Sequence, residues 1–409
     1  MSKIFYKERS DRKYYFVVLL LLIVNGCGIN KNDTTAPDYV LEMENVTIFS
    51  EDDVANADTI RLIKEQEFGN TEDVYINNIS EFTTDEAGRV FIADVDPRST
   101  AIHVYSPDGS YITRLGREGR GPGEFNSLCC LKIRSNRLYV IDKALARLTV
   151  YSTDSWDLLE TRSMDLDNVE NAGQLKEKRL WNYYFLDDET RFLAFINPQK
   201  NFEEAPGSIH YFTADTTFQE LGEEVLEQDQ ILEVWGDWNG QRLMKYYPFY
   251  SKPLVAVTPT GRIFFADSDQ FLIRELNKEG DKVGGFYYPF QRVPVDRNEV
   301  FGEIPEMEKS IAENVELPEF WPVIQTMWSD DNGRLWISTF TENEDELEWW
   351  VVEPDGKLIG KFLFPGDRNA YPLINGGTFK HIRGDYFYAR EEDEKTGLQT
   401  VVRYKIEME

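Results

Sequence analysis

Three aspartates recur at one position of a repeated sequence pattern. Asp94, Asp142 and Asp267 each close a short apolar segment, in FIAD, YVID and FFAD. Carboxylate oxygens are the ligands that Ca²⁺ prefers, and a bound cation can activate water for hydrolysis. Alternatively, each aspartate stabilises a turn by accepting hydrogen bonds from backbone N–H groups. We favour the turn, and Ca²⁺ is the only cofactor that the sequence suggests.

A second candidate is the stretch GREGRGPGEF, from Gly116 to Phe125, which carries four glycines and one proline. Such a composition excludes the interior of a helix or strand. Arg117 and Arg120 within it have the chemistry to bind a carboxylate or a phosphate, helped by exposed backbone N–H groups. The alternative is that the glycines turn the chain while the arginines pair with acidic side chains. The stretch lacks the GK[ST] of phosphate-binding loops.

Aromatic residues are the third set of candidates. Trp235, Trp238 and Trp321 lie in two long segments that separate repeats, Val225–Pro253 and Phe290–Pro322. Flat rings on one face would suit stacking against sugars or peptide side chains. Aromatic residues are also buried where neighbouring repeats pack together, so only some of these rings are expected to bind a ligand.

Motifs of the common hydrolases and metalloenzymes are absent from the sequence. HExxH, CxxC, a Walker loop and GxSxG do not occur, and His103, His210 and His381 read as residues of strand faces. Cys129 and Cys130 are adjacent in a predicted strand. We expect two packed thiols on alternate faces, with a vicinal disulfide as the alternative.

Repeated β-hairpins must position these residues. EFTTDEAGRVFIAD, LVAVTPTGRIFFADS and IQTMWSDDNGRLWIST each contain a strand, a tight turn with glycine, and a second strand rich in β-branched and aromatic residues. A second hairpin follows each one. The turn glycines of the paired hairpins are 21, 19 and 23 residues apart: Gly88 and Gly109, Gly261 and Gly280, Gly333 and Gly356.

Three less regular copies bring the number of four-stranded units to six. Units that repeat in phase predict an all-β fold, a six-bladed β-propeller of four-stranded antiparallel blades, over residues 44–409. An early strand, at Val46–Phe49 or Ile60–Phe68, is expected to complete the last blade and close the ring. The charged segment Glu303–Asn314 has a helical pattern.

The N-terminus has the features of an export signal. A positively charged stretch precedes the eleven-residue apolar run Tyr14–Val24, which is too short to span a bilayer. Val24-Asn25-Gly26-Cys27 resembles the lipobox of bacterial lipoproteins, which implies cleavage after residue 26 and a diacylglycerol on Cys27. We therefore predict a signal peptide at 1–26 and a lipidated, flexible tether at 27–43, with an ordinary signal peptide or membrane anchor as the alternative.

The charge of the chain limits its partners. It has 73 acidic against 44 basic residues, a formal net charge of −29. Nucleic acid is excluded because phosphate neutralisation requires clustered Lys and Arg. Binding of anionic lipid by the folded surface is excluded for the same reason. We expect a monomer whose membrane contact is the lipid anchor.

Four stretches carry a resemblance to a known family: GREGRGPGEF, the preceding DEAGRVFIAD and VYSPDG, and LPEFWPVIQTMWSDDNGRLWI. Together they resemble the six-bladed β-propeller lipoproteins of Bacteroidota-like bacteria, which are relatives of NHL-repeat and TolB-like propellers. The resemblance covers about residues 60–407 and implies the fold and export, with a cell-envelope location, most simply the outer membrane. We interpret the chain as a binding or scaffold module for a peptide, protein or glycan. The alternative is a cation-dependent propeller hydrolase, lactonase or lyase with its site in the central channel.

Overall fold

The computed structural model describes residues 36–71, 74–96, 99–164, 172–197, 207–302, 304–368, 380–393 and 395–409. Ala36–Glu409 is one compact unit. The predicted signal peptide, Cys27 and the tether up to residue 35 lie outside the described residues. Within the described part, no helix combines the length and the apolar character needed to cross a membrane.

Four short elements precede the repeats: α1 (Asp38–Leu41), β1 (Val46–Ile48), α2 (Glu51–Ala55) and β2 (Asp58–Phe68). Helix α2 begins at a capping box. The Ser50 hydroxyl accepts a hydrogen bond from the Asp53 N–H at 3.1 Å, and the Asp53 carboxylate accepts one from the Ser50 N–H at 2.8 Å.

Three four-stranded antiparallel sheets follow in sequence order. Blade 1 contains β3 (Ile79–Thr84), β4 (Val90–Asp94), β5 (Ala101–Tyr105) and β6 (Tyr111–Leu115). The next two strands pair in parallel: β7 (Arg117–Glu118) and β8 (Glu124–Phe125). Blade 2 contains β9 (Leu128–Arg134), β10 (Arg137–Asp142), β11 (Arg147–Ser152) and β12 (Leu158–Ser163). Blade 3 contains β13 (Arg179–Phe185), β14 (Thr190–Asn197), β15 (Ser208–Asp215) and β16 (Leu221–Asp229).

The second half of the chain repeats this arrangement with two insertions. A hairpin comes first: β17 (Glu233–Trp238) and β18 (Gln241–Tyr246). Blade 4 contains β19 (Pro253–Val257), β20 (Ile263–Asp267), β21 (Leu272–Leu276) and β22 (Lys282–Tyr287). Two helices follow: α3 (Arg297–Phe301) and α4 (Glu306–Ala312). Blade 5 contains β23 (Ile324–Ser329), β24 (Leu335–Phe340), β25 (Glu346–Val352) and β26 (Leu358–Pro365). The last three strands are β27 (Lys380–Arg383), β28 (Tyr386–Glu392) and β29 (Gln399–Met408).

Strand β2 completes blade 6 and closes the ring. It pairs antiparallel with β29, from Ile60 opposite Met408 to Phe68 opposite Val401. The sixth sheet therefore combines the N-terminal and C-terminal strands of the described unit. Of the two closing strands that the sequence left open, the second is the one used, because β1 instead pairs in parallel with β22 of blade 4.

Six hydrophobic clusters join neighbouring blades in a closed circle. Successive side chains of a strand point to opposite faces of its sheet, so each second strand contributes to two clusters. The clusters run from blades 1 and 2 around to blades 6 and 1. One member from each of the two blades in every cluster is given in that order: Phe91 and Leu138, Ile141 and Phe195, Phe192 and Ile263, Phe264 and Ile337, Trp336 and Phe387, and Tyr388 and Ile92.

The first turns of blades 1 and 5 are built by the same side chains. In blade 5 the Asp330 carboxylate accepts hydrogen bonds from the Arg334 N–H at 2.9 Å and from the Arg334 Nε at 2.6 Å. Gly333 has φ +83°, a conformation that favours glycine. Asp85 holds Arg89 in the same way, at 2.9 and 2.6 Å. The recurring D-x-x-G-R therefore forms a recurring clamp.

The insertions pack on each other rather than projecting separately. Gly236 of β17 lies so close to α4 that an added Cβ would meet backbone atoms of Ser310 and Ile311 at 2.8 Å. The Asn314 side-chain amide donates to the Trp235 carbonyl at 2.9 Å. Helix α4 confirms the helical pattern predicted for this segment.

Candidate functional site

The first strands of all six blades surround a cavity of about 520 Å³, here called the channel. The strands that line it contribute Thr83 and Thr84, Leu131–Arg134, Tyr184 and Phe185, Val255–Val257, Trp328 and Ser329, and Lys380–Arg383. Residues of the turns that follow these strands complete the wall: Glu86, Ser135, Asp188, Pro259 and Asp331. The channel therefore has its rim at the first turns of the blades.

Arginines neutralise acids at this rim. Arg134 Nη2 lies 2.9 Å from an Asp188 carboxylate oxygen, and Arg383 Nη1 lies 3.9 Å from one of Asp331. Asp330, which also lines the channel, is occupied by its turn clamp. These three carboxylates consequently have cationic partners within the protein.

Two lysines of the channel wall face aromatic rings instead of acids. Lys132 Nζ lies 5.3 Å from the centre of the Tyr184 ring, and Lys380 Nζ lies 5.6 Å from that of Trp349. In the described part of the chain, neither ammonium group forms an ion pair, and the charge of Lys132 acts only at longer range on the buried carboxyl of Glu81. Burial lowers the pKa of Lys380 to about 8, so its amine still carries a proton at pH 7.

Further donors of the wall lack an internal acceptor. His381 Nε2 and Arg383 Nε are buried, and neither has a hydrogen-bond partner among the described residues. Burial, followed by the charges of Arg383 and Lys132, lowers the pKa of His381 to about 3. The imidazole is therefore neutral at pH 7, and it offers both a donor and an acceptor.

Glu81 lies on β3 two residues before the channel-lining Thr83. Its side chain is almost completely buried, and burial raises the pKa of its carboxyl to about 7. The charge of Lys132 and the Leu131 N–H partly oppose that shift. Glu81 is therefore a group that changes its protonation near neutral pH beside the channel.

Comparison with known proteins agrees with the ring of six sheets. Residues 30–230 match the DUF5128 family, described as a 6-bladed beta-propeller. A solved structure, a member of the DUF4221 family from Bacteroides vulgatus, has a TM-score of 0.52 at 12% identity, over 86% of this chain and 99% of that chain. The chain is a six-bladed β-propeller. The fold expected from the repeats is thus confirmed.

Two further solved structures are similar at lower scores. A protein of Bacteroides fragilis described as exported has a TM-score of 0.47 at 12% identity, covering 89% of this chain and 100% of that one. Virginiamycin B lyase from Staphylococcus aureus has a TM-score of 0.36 at 11% identity, covering 85% and 99%. No curated protein matches the sequence. Because one fold hosts many activities, the function of this propeller has to be argued from its own site.

Two of the three repeated aspartates bind backbone groups at blade edges and do not line the channel. Asp94 accepts from the Asn78 N–H at 3.0 Å and from the Ser99 hydroxyl at 3.1 Å. Asp142 accepts from three backbone N–H groups at 2.6 to 3.2 Å, those of Asn126, Ser127 and Leu145. Both carboxylates are buried, and each carries out the turn-forming role that was the favoured interpretation.

Asp267, the third, lines a second cavity of about 540 Å³ between blades 3 and 4, here called the outer cavity. Its acidic residues are Glu227, Asp229, Asp267 and Asp269. Lys252 also lines it, and burial lowers the pKa of that lysine to about 8. The three repeated aspartates are thus distributed over separate parts of the propeller.

One group of potential metal ligands among the described residues shares Glu227 with the outer cavity. His210, Glu224 and Glu227 offer ligand atoms within 4.8 Å of one another. The imidazole nitrogens already have partners, because Nδ1 lies 3.0 Å from Glu224 Oε1 and Nε2 lies 2.8 Å from the Ser208 hydroxyl. This group lies on β15 and β16 and includes none of the aspartates that the sequence suggested.

The two arginines of the glycine-rich stretch behave differently. Arg117 pairs with Glu124, with its Nε 2.9 Å and its Nη2 2.7 Å from the carboxylate. Glu124 also accepts a hydrogen bond from the Gly121 N–H at 2.7 Å, so the Glu124 carboxylate holds two other residues of the same stretch. The Arg120 side chain is exposed, and its carbonyl accepts from Arg147 at 2.9 Å. Neither arginine lines the channel.

The predicted aromatic candidates divide between core and insertion. Trp321 is completely buried, 6.0 Å from the Phe249 ring and 5.4 Å from the Phe340 ring, so it stabilises the core and presents no free face. Trp235 and Trp238 lie on β17 and are partly exposed. Only these two retain ring surface for a ligand.

The cysteines are two packed free thiols, as expected, but the predicted placement on alternate faces is wrong. Cys129 and Cys130 do not occupy alternate faces of a regular strand. Their sulfurs lie 2.9 Å apart, because β9 has a bulge at this point and Cys130 has φ +58°. Both side chains belong to the cluster between blades 2 and 3.

Sequence reasoning missed the cations of the channel. A signal for them exists in the first strands of units 2 and 6, which read LKIR and KHIR immediately before their turns. Aligned on the turns, Arg134 corresponds to Arg383 and Lys132 to His381. Polar residues in a first strand line the channel of a propeller, and that rule would have identified them.

Proposed function

We propose that this propeller is a binding module of the cell envelope that takes an acidic peptide or glycan into its central channel. One observation carries the proposal: Lys132 and Lys380 line a 520 Å³ channel, and neither has a carboxylate within ion-pair distance among the described residues. In a protein of net charge −29, cations without acidic partners are unexpected. A carboxylate of the ligand would supply the missing negative charge.

The physical reason lies in the surroundings of the lysines. A charge that is withdrawn from water attracts an opposite charge more strongly than a solvated one does, and low-polarity walls focus that attraction. Tyr184 and Trp349 contribute such walls. His381 and Arg383 add donors that have no internal acceptor, so a carboxylate would find hydrogen bonds as well as charge.

The alternative of a cation-dependent hydrolase, lactonase or lyase requires carboxylates that converge on the channel and are free to bind a metal ion. Asp188, Asp330 and Asp331 line the channel, but each has an arginine partner. Glu86 is the remaining acidic residue of its wall. The distribution of charge therefore favours binding of an anion over binding of Ca²⁺.

Export and lipid anchoring at Cys27 complete the proposal. They rest on the charged and apolar N-terminal pattern and on the residues before Cys27. A Cys27→Ser variant should appear in the soluble fraction of the envelope, while the wild-type chain sediments with membranes and incorporates labelled palmitate. Equal membrane association of both chains would reject the anchor.

The binding proposal is tested with charged and neutral probes of matched size. Isothermal titration calorimetry would compare tetraglutamate with tetraglutamine, and oligogalacturonate with the neutral galactose oligomer. We expect an acidic probe to bind to the full chain, and to bind roughly thirtyfold or more weakly after Lys132→Ala with Arg383→Ala. The removal of one partner of a desolvated charge pair costs about 2 kcal/mol or more, and 1.4 kcal/mol is about tenfold in affinity. Added Ca²⁺ or a chelator should leave the affinity unchanged.

The matched control is Arg117→Ala with Arg120→Ala, which removes two arginines outside the channel. This variant should bind the acidic probe as the wild type does. Loss of binding in the control would move the site to the glycine-rich stretch. Equal binding of acidic and neutral probes, or a dependence on Ca²⁺, would reject the channel as an anion site.

A further inference from the structure

The adjacent cysteines of blade 2 have a geometry that a regular strand does not allow. Consecutive side chains of a strand point to opposite faces, so the sulfurs of neighbouring cysteines normally lie far apart. In β9, Cys129 pairs with Ile141 and Lys132 pairs with Tyr139, so two residues of β9 oppose the single residue Val140. This bulge, together with φ +58° at Cys130, turns both side chains toward blade 3.

The two thiols interact directly. Cys129 Sγ lies 2.9 Å from Cys130 Sγ, a distance at which one thiol donates a hydrogen bond to the other. Such a bond stabilises one thiolate of the pair, and it lowers the pKa of the Cys130 thiol while it raises that of Cys129. The only other sulfur contact in the described part of the chain joins Cys130 Sγ to the Trp181 carbonyl at 3.9 Å.

The pair differs in access to solvent. Cys130 is 1% exposed, whereas Cys129 is partly exposed. Cys129 is therefore the more exposed residue of the pair, and Cys130 can act only on a sulfur already bound to its neighbour. One accessible thiol next to one buried thiol is the arrangement of an attacking and a resolving cysteine.

We propose that Cys129 and Cys130 form a redox site that closes to a vicinal disulfide by exchange with a small-molecule disulfide. Cys130, whose pKa is the lowered one, accepts the proton of Cys129 when it is ionised, and the Cys129 sulfur then attacks one sulfur of the disulfide and releases the first thiol. Cys130 then loses its proton and attacks the Cys129 sulfur, which expels the second thiol. The two cysteines give up two electrons and two protons, and one disulfide molecule becomes two thiols.

The closed ring is expected to be easy to reduce. Neighbouring Cα atoms are 3.8 Å apart across a trans peptide, below the usual span of a disulfide, and such deviations make the bond more reducible. The site also lies directly before Leu131 and Lys132 of the channel wall. It does not depend on the ligand proposed for the channel, because the exchange needs only the two thiols.

Peptide mass spectrometry tests the proposal on the full chain. Trypsin releases Gly121–Lys132, which contains both cysteines and neither Cys27 nor any other thiol. The purified protein would be equilibrated with glutathione disulfide, quenched in acid, alkylated and digested. We expect this peptide without alkyl groups and lighter by two hydrogen atoms, and doubly alkylated after prior treatment with dithiothreitol.

Single substitutions separate the roles of the two thiols. Cys130→Ser should stop at a glutathione adduct on Cys129, whereas Cys129→Ser should remain largely unmodified. Circular dichroism would show that both variants fold, and the wild-type measurement stands by itself if one does not. A doubly alkylated wild-type peptide after oxidation, or a stable glutathione adduct on the wild type, would overturn the proposal.

Discussion

The channel and the outer cavity are nearly equal in volume, about 520 and 540 Å³, but opposite in their electrostatics. In the channel three of the four acids are held by arginines, and neither Lys132 nor Lys380 has a carboxylate within ion-pair distance among the described residues. In the outer cavity four acids surround one lysine, Lys252. The outer cavity has the charge expected of a chain with net charge −29, and the channel does not.

Acidic residues that only keep the protein in solution would make both cavities negative, and the channel does not follow that expectation. The outer cavity is formed by blades 3 and 4, at the ends of whose strands acidic residues are common. The channel is formed by one strand from every blade, so its charge is the sum of side chains from six segments that are distant in sequence. Cations concentrated against the overall charge of the protein are therefore the stronger indication of a binding site.

The largest effect should follow from Asp330→Ala at the channel. Asp330 is 2% exposed, and it accepts from Arg334 and from Trp336 Nε1, the latter at 2.9 Å. Removal of one partner of a buried ion pair costs about 4 kcal/mol. Asp269→Ala in the outer cavity is the matched control, with an expected cost below about 1 kcal/mol because none of the described residues clamps its carboxylate.

Urea unfolding of both variants measures this contrast. A free energy of unfolding lowered equally by the two substitutions would show that the carboxylates of the channel are no more structural than those of the outer cavity.

A smaller, pH-dependent effect is expected from Glu81→Gln beside the channel. The folded-state pKa of Glu81 is raised to about 7, so the folded protein binds a proton that the unfolded chain releases above about pH 4.5. This stabilisation is complete below pH 4.5 and is lost as the pH rises through 7. At about 1.4 kcal/mol per pKa unit, the variant should gain up to about 3 kcal/mol relative to the wild type between pH 4.5 and pH 8.

Thermal unfolding of the two proteins at pH 4.5 and pH 8 checks the sign. A difference between them that does not change with pH would mean that Glu81 keeps an ordinary pKa in the folded protein.

The smallest effect is expected at Lys252 of the outer cavity. Burial lowers its folded-state pKa to about 8 from 10.5, so the unfolded chain binds more protons between these values and the wild type gains stability as the pH rises through them. Lys252→Met should remove this gain, which is at most about 3 kcal/mol at about 1.4 kcal/mol per pKa unit and is reduced because the residue as a whole is only partly buried. Chemical unfolding at pH 7.5 and pH 10.5 provides the measurement, and a wild-type stability that falls over this range more than that of the variant would contradict the assignment.

Local patterns were sufficient for the regular part of the fold. The spacing of Gly88, Gly261 and Gly333 predicted hairpins because each adopts a positive φ, between +76° and +83°, that other residues rarely take. Asp85 and Asp330 sit at fixed distances from those glycines, so their clamps are local as well. The number of strands per unit, four, and the number of units, six, then followed from counting the predicted hairpins.

Local patterns could not predict which residues from distant parts of the chain come together in the closed ring. Closure by β2 rather than β1 depends on pairing with β29, which lies more than 300 residues away in sequence. Trp321 resembled a ligand-binding ring in sequence and became a buried core residue because the insertion folds back on blade 5. The bulge that joins the cysteine sulfurs likewise depends on the register between β9 and β10.

The blades and their turns can thus be read from the chain alone, since each depends on neighbours within a few residues. The channel, its unpartnered lysines and the contact of Cys129 with Cys130 were decided by tertiary structure. Lys132 and Lys380 are 248 residues apart, and only the closed ring places both in one cavity. Electrostatic interactions act through space, so their balance at a site depends on which distant strands the fold brings together.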